Sequence, residues 1–192
     1  KTNTTDTFIV AGPQSREMLA PIVEGGDLNQ PWLTFQTASI AGIELRLVRV
    51  SFAGELGWEV HVPVENAAKV YDAIICQGVK PFGMFALNSM RIEKGYRAWK
   101  GDLSTDYTLL EGGLERFVRL DNDHDFIGKQ AIQAEKQRGV KKQFVSLKVD
   151  AGEYDAPYMS CIWLGDEIVG ETTSGAWGYR VGHSVALGTI KT

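Results

Sequence analysis

Residues 51–63 constrain the fold more than any other part of the chain. Two glycines bracket a tight turn there, and apolar and polar side chains alternate after the turn. Alternation with a period of two is typical of a strand with one buried face. The pattern therefore predicts a strand, a reversal and a second strand, with the Glu59 carboxylate fixed beside the bend. The residues predicted to face the core are Trp58, Val60 and Val62.

Patterns elsewhere predict a mixed first part and an all-β last part. Strands are expected at 7–11, 34–40 and 43–50, and helices at 64–77, 82–94 and 128–138. From residue 144 the chain changes to short strands separated by turns that contain glycine, at 144–149, 160–164, 167–172 and 184–190. The predicted fold class is α+β. A mixed α/β domain over residues 1–139 is followed by a small antiparallel β-barrel-like domain over 140–192.

Composition excludes several classes of function. The net charge of −4 argues against nucleic acid as a partner, because phosphate binding needs a basic face. No apolar run approaches the roughly 20 residues of a membrane span, so we expect no membrane partner. Two cysteines cannot form a disulfide framework, which favours a reducing compartment, cytoplasmic or the mitochondrial matrix in a eukaryote. Three scattered histidines and two cysteines lack the spacing of metal ligands, so we predict no metal site.

Glu59 and Arg91 each allow a structural and a functional interpretation. Glu59 could be an exposed strand residue that pairs with a neighbour. Arg91 could form an ion pair with Glu93 or Glu55 at a helix surface. Alternatively, both side chains could bind a ligand.

Several sequence runs, in one order over nearly the whole chain, resemble the aminomethyltransferase family. That family contains the glycine-cleavage T-protein and the folate-binding domains of dimethylglycine and sarcosine dehydrogenases. The phrase at residues 93–99, Glu-Lys-Gly-Tyr-Arg-Ala-Trp, is similar to the flavin-linked dehydrogenase branch. T-proteins usually carry Arg and Asp at the positions of Leu87 and Asn88, so these two residues argue against the T-protein branch. The matching runs are residues 10–17, 51–63, 88–103, 125–128 and 170–175.

The resemblance implies a tetrahydrofolate site. A pterin ring presents two parallel N–H donors on one edge, and a carboxylate can accept both in charge-assisted hydrogen bonds. In the family, the glutamate at the position of Glu59 plays this part, and the aromatic residue at the position of Phe52 packs on the pterin. We expect three further residues to line the cavity or to meet the glutamate tail of folate: Arg91, Trp177 and Tyr179.

The resemblance also implies that two parts of a longer protein carry out successive reactions. FAD, on a separate domain or subunit, oxidises an N-methyl amine, and the folate site captures the one-carbon unit of the resulting iminium. The family's general base is an Asp in an earlier segment, so we expect it upstream of Lys1 and predict no catalytic residue in this chain. The 192 residues alone are then expected to be inactive. The alternatives are a glycine-cleavage T-protein, or a non-catalytic folate-binding or docking module.

Overall fold

The computed structural model describes residues 3–152 and 154–192. Contacts within the chain divide it into two compact units, Lys1–Leu87 and Asn88–Thr192. None of the described helices is long and apolar enough to cross a membrane.

The first unit is built on a five-stranded antiparallel sheet in the order β1-β5-β4-β3-β2. A short helix α1 (Ser15–Leu19) follows β1, and a 3-10 turn (Val64–Asn66) leads from β5 into α2 (Ala67–Ile75). The predicted helix at 64–77 therefore begins as a tighter turn and ends two residues early. The strands are β1 (Thr5–Ala11), β2 (Val23–Glu24), β3 (Phe35–Ile40), β4 (Ile43–Val48) and β5 (Gly57–Pro63).

The core of this unit lies against one face of the sheet. Trp58, Val60 and Val62 are fully buried, and Glu59 and His61 are only partly buried on the opposite face. The alternation predicted for β5 is thus confirmed. The other buried residues of this core include Leu45 and Leu47 from β4 and Val70 and Ile74 from α2.

The turn between β4 and β5 depends on its two glycines for different reasons. Gly54 has a φ of +73°, which glycine adopts without steric cost. A Cβ at Gly57 would lie 2.8 Å from the Val10 carbonyl oxygen, so β1 can approach only because that Cβ is missing. The end of the turn is held to the residue that follows β1, because Gly12 N donates to Leu56 O at 2.7 Å.

The second unit combines a helix with a four-stranded antiparallel sheet in the order β6-β9-β8-β7. A helix, α3 (Met84–Glu93), leads into this unit, and a 3-10 turn (Glu115–Phe117) and α4 (Lys129–Arg138) precede the sheet. Its sheet is open, with β6 and β7 at its edges, and the predicted α+β class is confirmed. The predicted boundary near Gly139 falls between α4 and β6, and as a domain boundary it stays a prediction. The strands are β6 (Lys142–Val149), β7 (Cys161–Leu164), β8 (Glu167–Gly178) and β9 (His183–Lys191).

Candidate functional site

Glu59 lies in the middle of β5, on the face of the sheet opposite the core. Its neighbours across the ladder are Ile9 on β1 and Val48 on β4, both apolar. The side chain is 32% exposed, so the carboxylate is partly withdrawn from solvent while still open to a ligand.

The Glu59 carboxylate is held by its neighbour on the same face, His61. The Nε2 atom of His61 lies 3.0 Å from Oε2 of Glu59. Residues two apart on a strand face the same side, so β5 itself brings these two side chains together. On the other ring nitrogen, Nδ1 of His61 lies 3.2 Å from the Thr7 hydroxyl of β1. The three side chains form one hydrogen-bonded row across two strands.

Phe52 lies in the turn that precedes β5 and is partly buried. It shares the first unit and the same turn-and-strand segment with Glu59, as the sequence pattern predicted. Its role in packing on a ligand stays a prediction.

Two arginines lie near Trp58, and one of them, Arg49, supports this turn; sequence reasoning did not identify them as part of the site. The Arg49 guanidinium lies 4.9 Å from the ring centroid of Trp58, and Nη1 of Arg49 donates to Gly57 O at 3.0 Å. Arg16 lies 6.0 Å from the same centroid. Burial, followed by the nearby charge of Arg16, lowers the pKa of Arg49. Arg49 thus ties the residue before the turn to the first residue of β5.

A mainly apolar groove of about 330 Å³ runs along the free edge of β1 within the first unit. Glu59 is not part of its wall. Thr7, which bonds His61, does line it, together with side chains from α2 such as Tyr71 and Ile74. The volume lies at the lower end of the range for small-molecule sites.

Arg91 belongs to the second unit and is 4% exposed. Its Nη1 pairs with Oδ2 of Asp102 at 2.5 Å and donates to Tyr96 O at 3.0 Å. Its Nη2 donates to the Ser174 hydroxyl at 2.8 Å and its Nε to Asn88 Oδ1 at 3.1 Å. These bonds use four of the five donors of the guanidinium. The pairing of Arg91 with Glu93 or Glu55, considered from the sequence, is replaced by an internal pair with Asp102. A contact between Arg91 and a ligand stays a prediction.

Asp102 is a buried carboxylate that sequence reasoning missed, at 1% exposure. Besides Arg91, it accepts from the Thr173 hydroxyl at 2.6 Å, the Ser174 hydroxyl at 2.7 Å and the Ala98 backbone N–H at 2.8 Å. The available signal was its place in the run at 88–103, paired with the hydroxyl-rich run at 170–175.

Trp177 and Tyr179 lie at and just after the end of β8. Trp177 is 37% exposed, and its backbone carbonyl accepts from the Ser89 hydroxyl at 2.7 Å. Tyr179 is 80% exposed. Both stay predicted ligand contacts, and of the two Trp177 is connected to the helix that carries Arg91.

Two family models match the chain. The model described as the GCVT N-terminal domain matches residues 1–122, and the one described as the glycine cleavage T-protein C-terminal barrel domain matches residues 142–192.

Curated relatives are similar over nearly the whole of this chain. It is 36% identical to human mitochondrial dimethylglycine dehydrogenase over 187 residues, which cover 94% of this chain and 22% of the relative. It is 33% identical to mouse mitochondrial sarcosine dehydrogenase, covering 95% of this chain and 20% of the relative. An aminomethyltransferase of Listeria monocytogenes is 32% identical, and the match covers 94% of this chain and 50% of the relative. The chain therefore spans about a fifth of the dehydrogenases and half of the aminomethyltransferase.

A solved structure shares the fold. The glycine cleavage system aminomethyltransferase T from Bartonella henselae superposes with a TM-score of 0.85 over 97% of this chain and 52% of that one. At 22% identity, this likeness supports the fold alone.

Proposed function

Because the chain belongs to the GCVT family, the family of the glycine cleavage T-protein, we propose that it forms the tetrahydrofolate-binding part of a longer FAD-dependent dehydrogenase. The substrate of that protein would be dimethylglycine, sarcosine or a similar N-methyl amine. The proposal rests on the 36% identity to dimethylglycine dehydrogenase, compared with 32% to the aminomethyltransferase, and on the coverage of only about a fifth of the length of both dehydrogenases. Both dehydrogenases are mitochondrial, so we propose the same location for this protein if its source is eukaryotic.

The folate proposal rests on the unused hydrogen-bonding capacity of the Glu59 carboxylate. Among the described residues its one hydrogen-bonding partner is His61, so most of its roughly four acceptor positions remain available. A partly buried carboxylate of this kind suits the two parallel donors at the edge of a pterin. Hydrogen bonds to charged groups contribute about 1.5–3 kcal/mol each, so two of them would dominate recognition of the ring.

Each part of the proposed protein has a distinct task. Tetrahydrofolate would supply the nucleophilic nitrogen that accepts the one-carbon unit. Glu59 would bind and orient the pterin ring, and Phe52 would pack on its face. Arg91, Trp177 and Tyr179 remain proposed contacts for the rest of the ligand. We place FAD, which would oxidise the amine, on a separate domain or subunit, as in the dehydrogenase hypothesis.

Calorimetry on the intact protein that contains these residues tests the folate proposal. We expect Glu59→Gln, which keeps the size of the side chain and removes its charge, to raise the Kd for tetrahydrofolate at least about 30-fold, since each 1.4 kcal/mol is a factor of ten. Glu65→Gln is the matched control, because Glu65 is an exposed glutamate in the turn just after β5. Equal affinity of wild type and Glu59→Gln would remove Glu59 from the site.

An activity measurement separates the dehydrogenase from its alternatives. With dimethylglycine or sarcosine, we expect wild type to consume the amine and to form methylenetetrahydrofolate. Glu59→Gln should consume the amine at a similar rate but release the carbon as formaldehyde. Aminomethyl transfer from a lipoylated carrier protein, without amine oxidation, would favour the T-protein alternative. Folate binding without either reaction would favour a non-catalytic module.

A further inference from the structure

We propose that His61, supported by Thr7, is a positioning residue that fixes the Glu59 carboxylate in the orientation that the ligand requires. This inference rests on the proposed function of Glu59, and it adds two residues to the site that the sequence pattern did not single out.

The direction of the hydrogen bonds follows from the chemistry of the three groups. An ionised carboxylate only accepts, so Nε2 of His61 carries the proton that is donated to Glu59. In a neutral imidazole the other nitrogen then accepts, and the Thr7 hydroxyl is the donor that it faces. The acceptor-only carboxylate of Glu59 thus selects the tautomer, and the Thr7 hydroxyl holds the ring by donating to the Nδ1 atom that this tautomer leaves as an acceptor.

No other described side chain performs this task. Ile9 and Val48, which flank Glu59 on the adjacent strands, offer no polar group. The charged residue opposite His61 on β4 is Arg46, whose guanidinium lies 5.2 Å from the ring centroid of Phe35 and forms no ion pair with Glu59 among the described residues. The orientation of Glu59 thus depends on His61.

Positioning of this kind affects binding because a free glutamate side chain samples several rotamers. Ordering it at the moment of binding reduces affinity, and a carboxylate that is already held avoids that loss. The row is also anchored in backbone structure, because Thr7 and His61 are direct partners in the β1–β5 ladder. A ligand would meet a carboxylate whose direction is set by the sheet.

A set of variants in the intact protein tests the proposal, with the Kd for tetrahydrofolate as the readout. We expect His61→Phe, which keeps a ring and removes the donor, to raise Kd about 10-fold. His61→Gln, whose amide can still donate to Glu59, should stay within about 3-fold of wild type. Thr7→Val should raise Kd about 3-fold and Thr7→Ser should not. The matched control is Thr5→Val, on the same strand and the same face but opposite Pro63, which should leave Kd unchanged.

A double-mutant cycle separates positioning from a general structural role. In the Glu59→Gln background, His61→Phe should change Kd less than 2-fold, because the carboxylate that it positions is gone. An equal effect of His61→Phe in both backgrounds, or none in the wild-type background, would overturn the positioning role. If instead Glu59→Gln itself leaves Kd unchanged, the proposed folate site fails and this inference fails with it. A normal response to Glu59→Gln with no response to His61→Phe would reject the positioning role alone.

Discussion

Asp102 accepts four hydrogen bonds in the interior of the second unit, and the only described cation paired with it is Arg91. Removing one member of a buried ion pair leaves the other charge without compensation, which typically costs 3–5 kcal/mol. Loss of the whole Asp102 side chain would also remove the acceptor of the Thr173 and Ser174 hydroxyls. The pair, together with the hydroxyls of Thr173 and Ser174, therefore connects the end of α3 to β8 through polar contacts.

Replacement of Asp102 should be among the most damaging single changes in this unit. We expect Asp102→Asn to lower the free energy of unfolding by about 3–5 kcal/mol, measured by urea denaturation. The control is Asp121→Asn, an exposed aspartate for which a change within about 0.5 kcal/mol is expected. If Asp102→Asn were as stable as that control, the pair would not support the fold. The double variant Arg91→Leu with Asp102→Leu should recover part of the loss.

The β3–β4 hairpin has a two-residue turn in which both residues have positive φ. Ala41 has a φ of +53° and Gly42 a φ of +74°. This is the arrangement of a type I′ turn, whose twist matches that of the two strands. Alanine is strained in the left-handed region, so the hairpin holds Ala41 in a conformation that it would not adopt alone.

Replacing Ala41 with glycine should therefore stabilise the hairpin. We expect Ala41→Gly to raise the free energy of unfolding by about 0.5–1 kcal/mol, because relief of strain exceeds the entropy that glycine adds to the unfolded chain. The control is Ala20→Gly, which should lower the free energy of unfolding, since exposed Ala20 has an ordinary helical φ of −54° and no strain to relieve. Both values come from chemical denaturation, and a loss of stability in Ala41→Gly would contradict the strain argument.

The pH dependence of the whole molecule's stability should include a contribution from Tyr107. Burial raises the pKa of this phenol from its ordinary value of 10.0, and its hydrogen bond to Glu171, 3.1 Å long, raises it further. The unfolded chain then ionises Tyr107 at a lower pH than the folded protein does. The stability contributed by this group is complete below pH 10 and is lost as pH rises above it.

Tyr107→Phe removes the ionisable phenol, so comparison with wild type measures how the stability contributed by Tyr107 changes with pH. We expect the difference in unfolding free energy between wild type and Tyr107→Phe to be constant below pH 10 and to shrink above it. In the Glu171→Gln background, the difference that Tyr107→Phe makes should shrink less above pH 10, because the Glu171 charge that helps to raise the pKa of Tyr107 is absent. A difference that grows with pH above 10 would mean that the folded state favours the phenolate.

The sequence by itself determined the local features of the site. The period-two pattern after Gly57 placed Trp58 inside and Glu59 outside, because adjacent side chains of a strand face opposite ways whatever the rest of the fold does. Gly95 likewise ended α3 as a glycine with a φ of +67°. Such features depend on backbone sterics and on neighbours a few residues away.

Only the tertiary structure decided which distant residues support the site. Thr7 meets His61 because β1 pairs with β5 in one register, and a shift of one residue would face Thr7 the other way. Asp102 meets Ser174 across 72 positions in the sequence, and no local pattern encodes that distance. Register and long-range pairing are set by the packing of the whole sheet, so the contact of Thr7 with His61 and that of Arg91 with Ser174 could not be predicted from the chain alone.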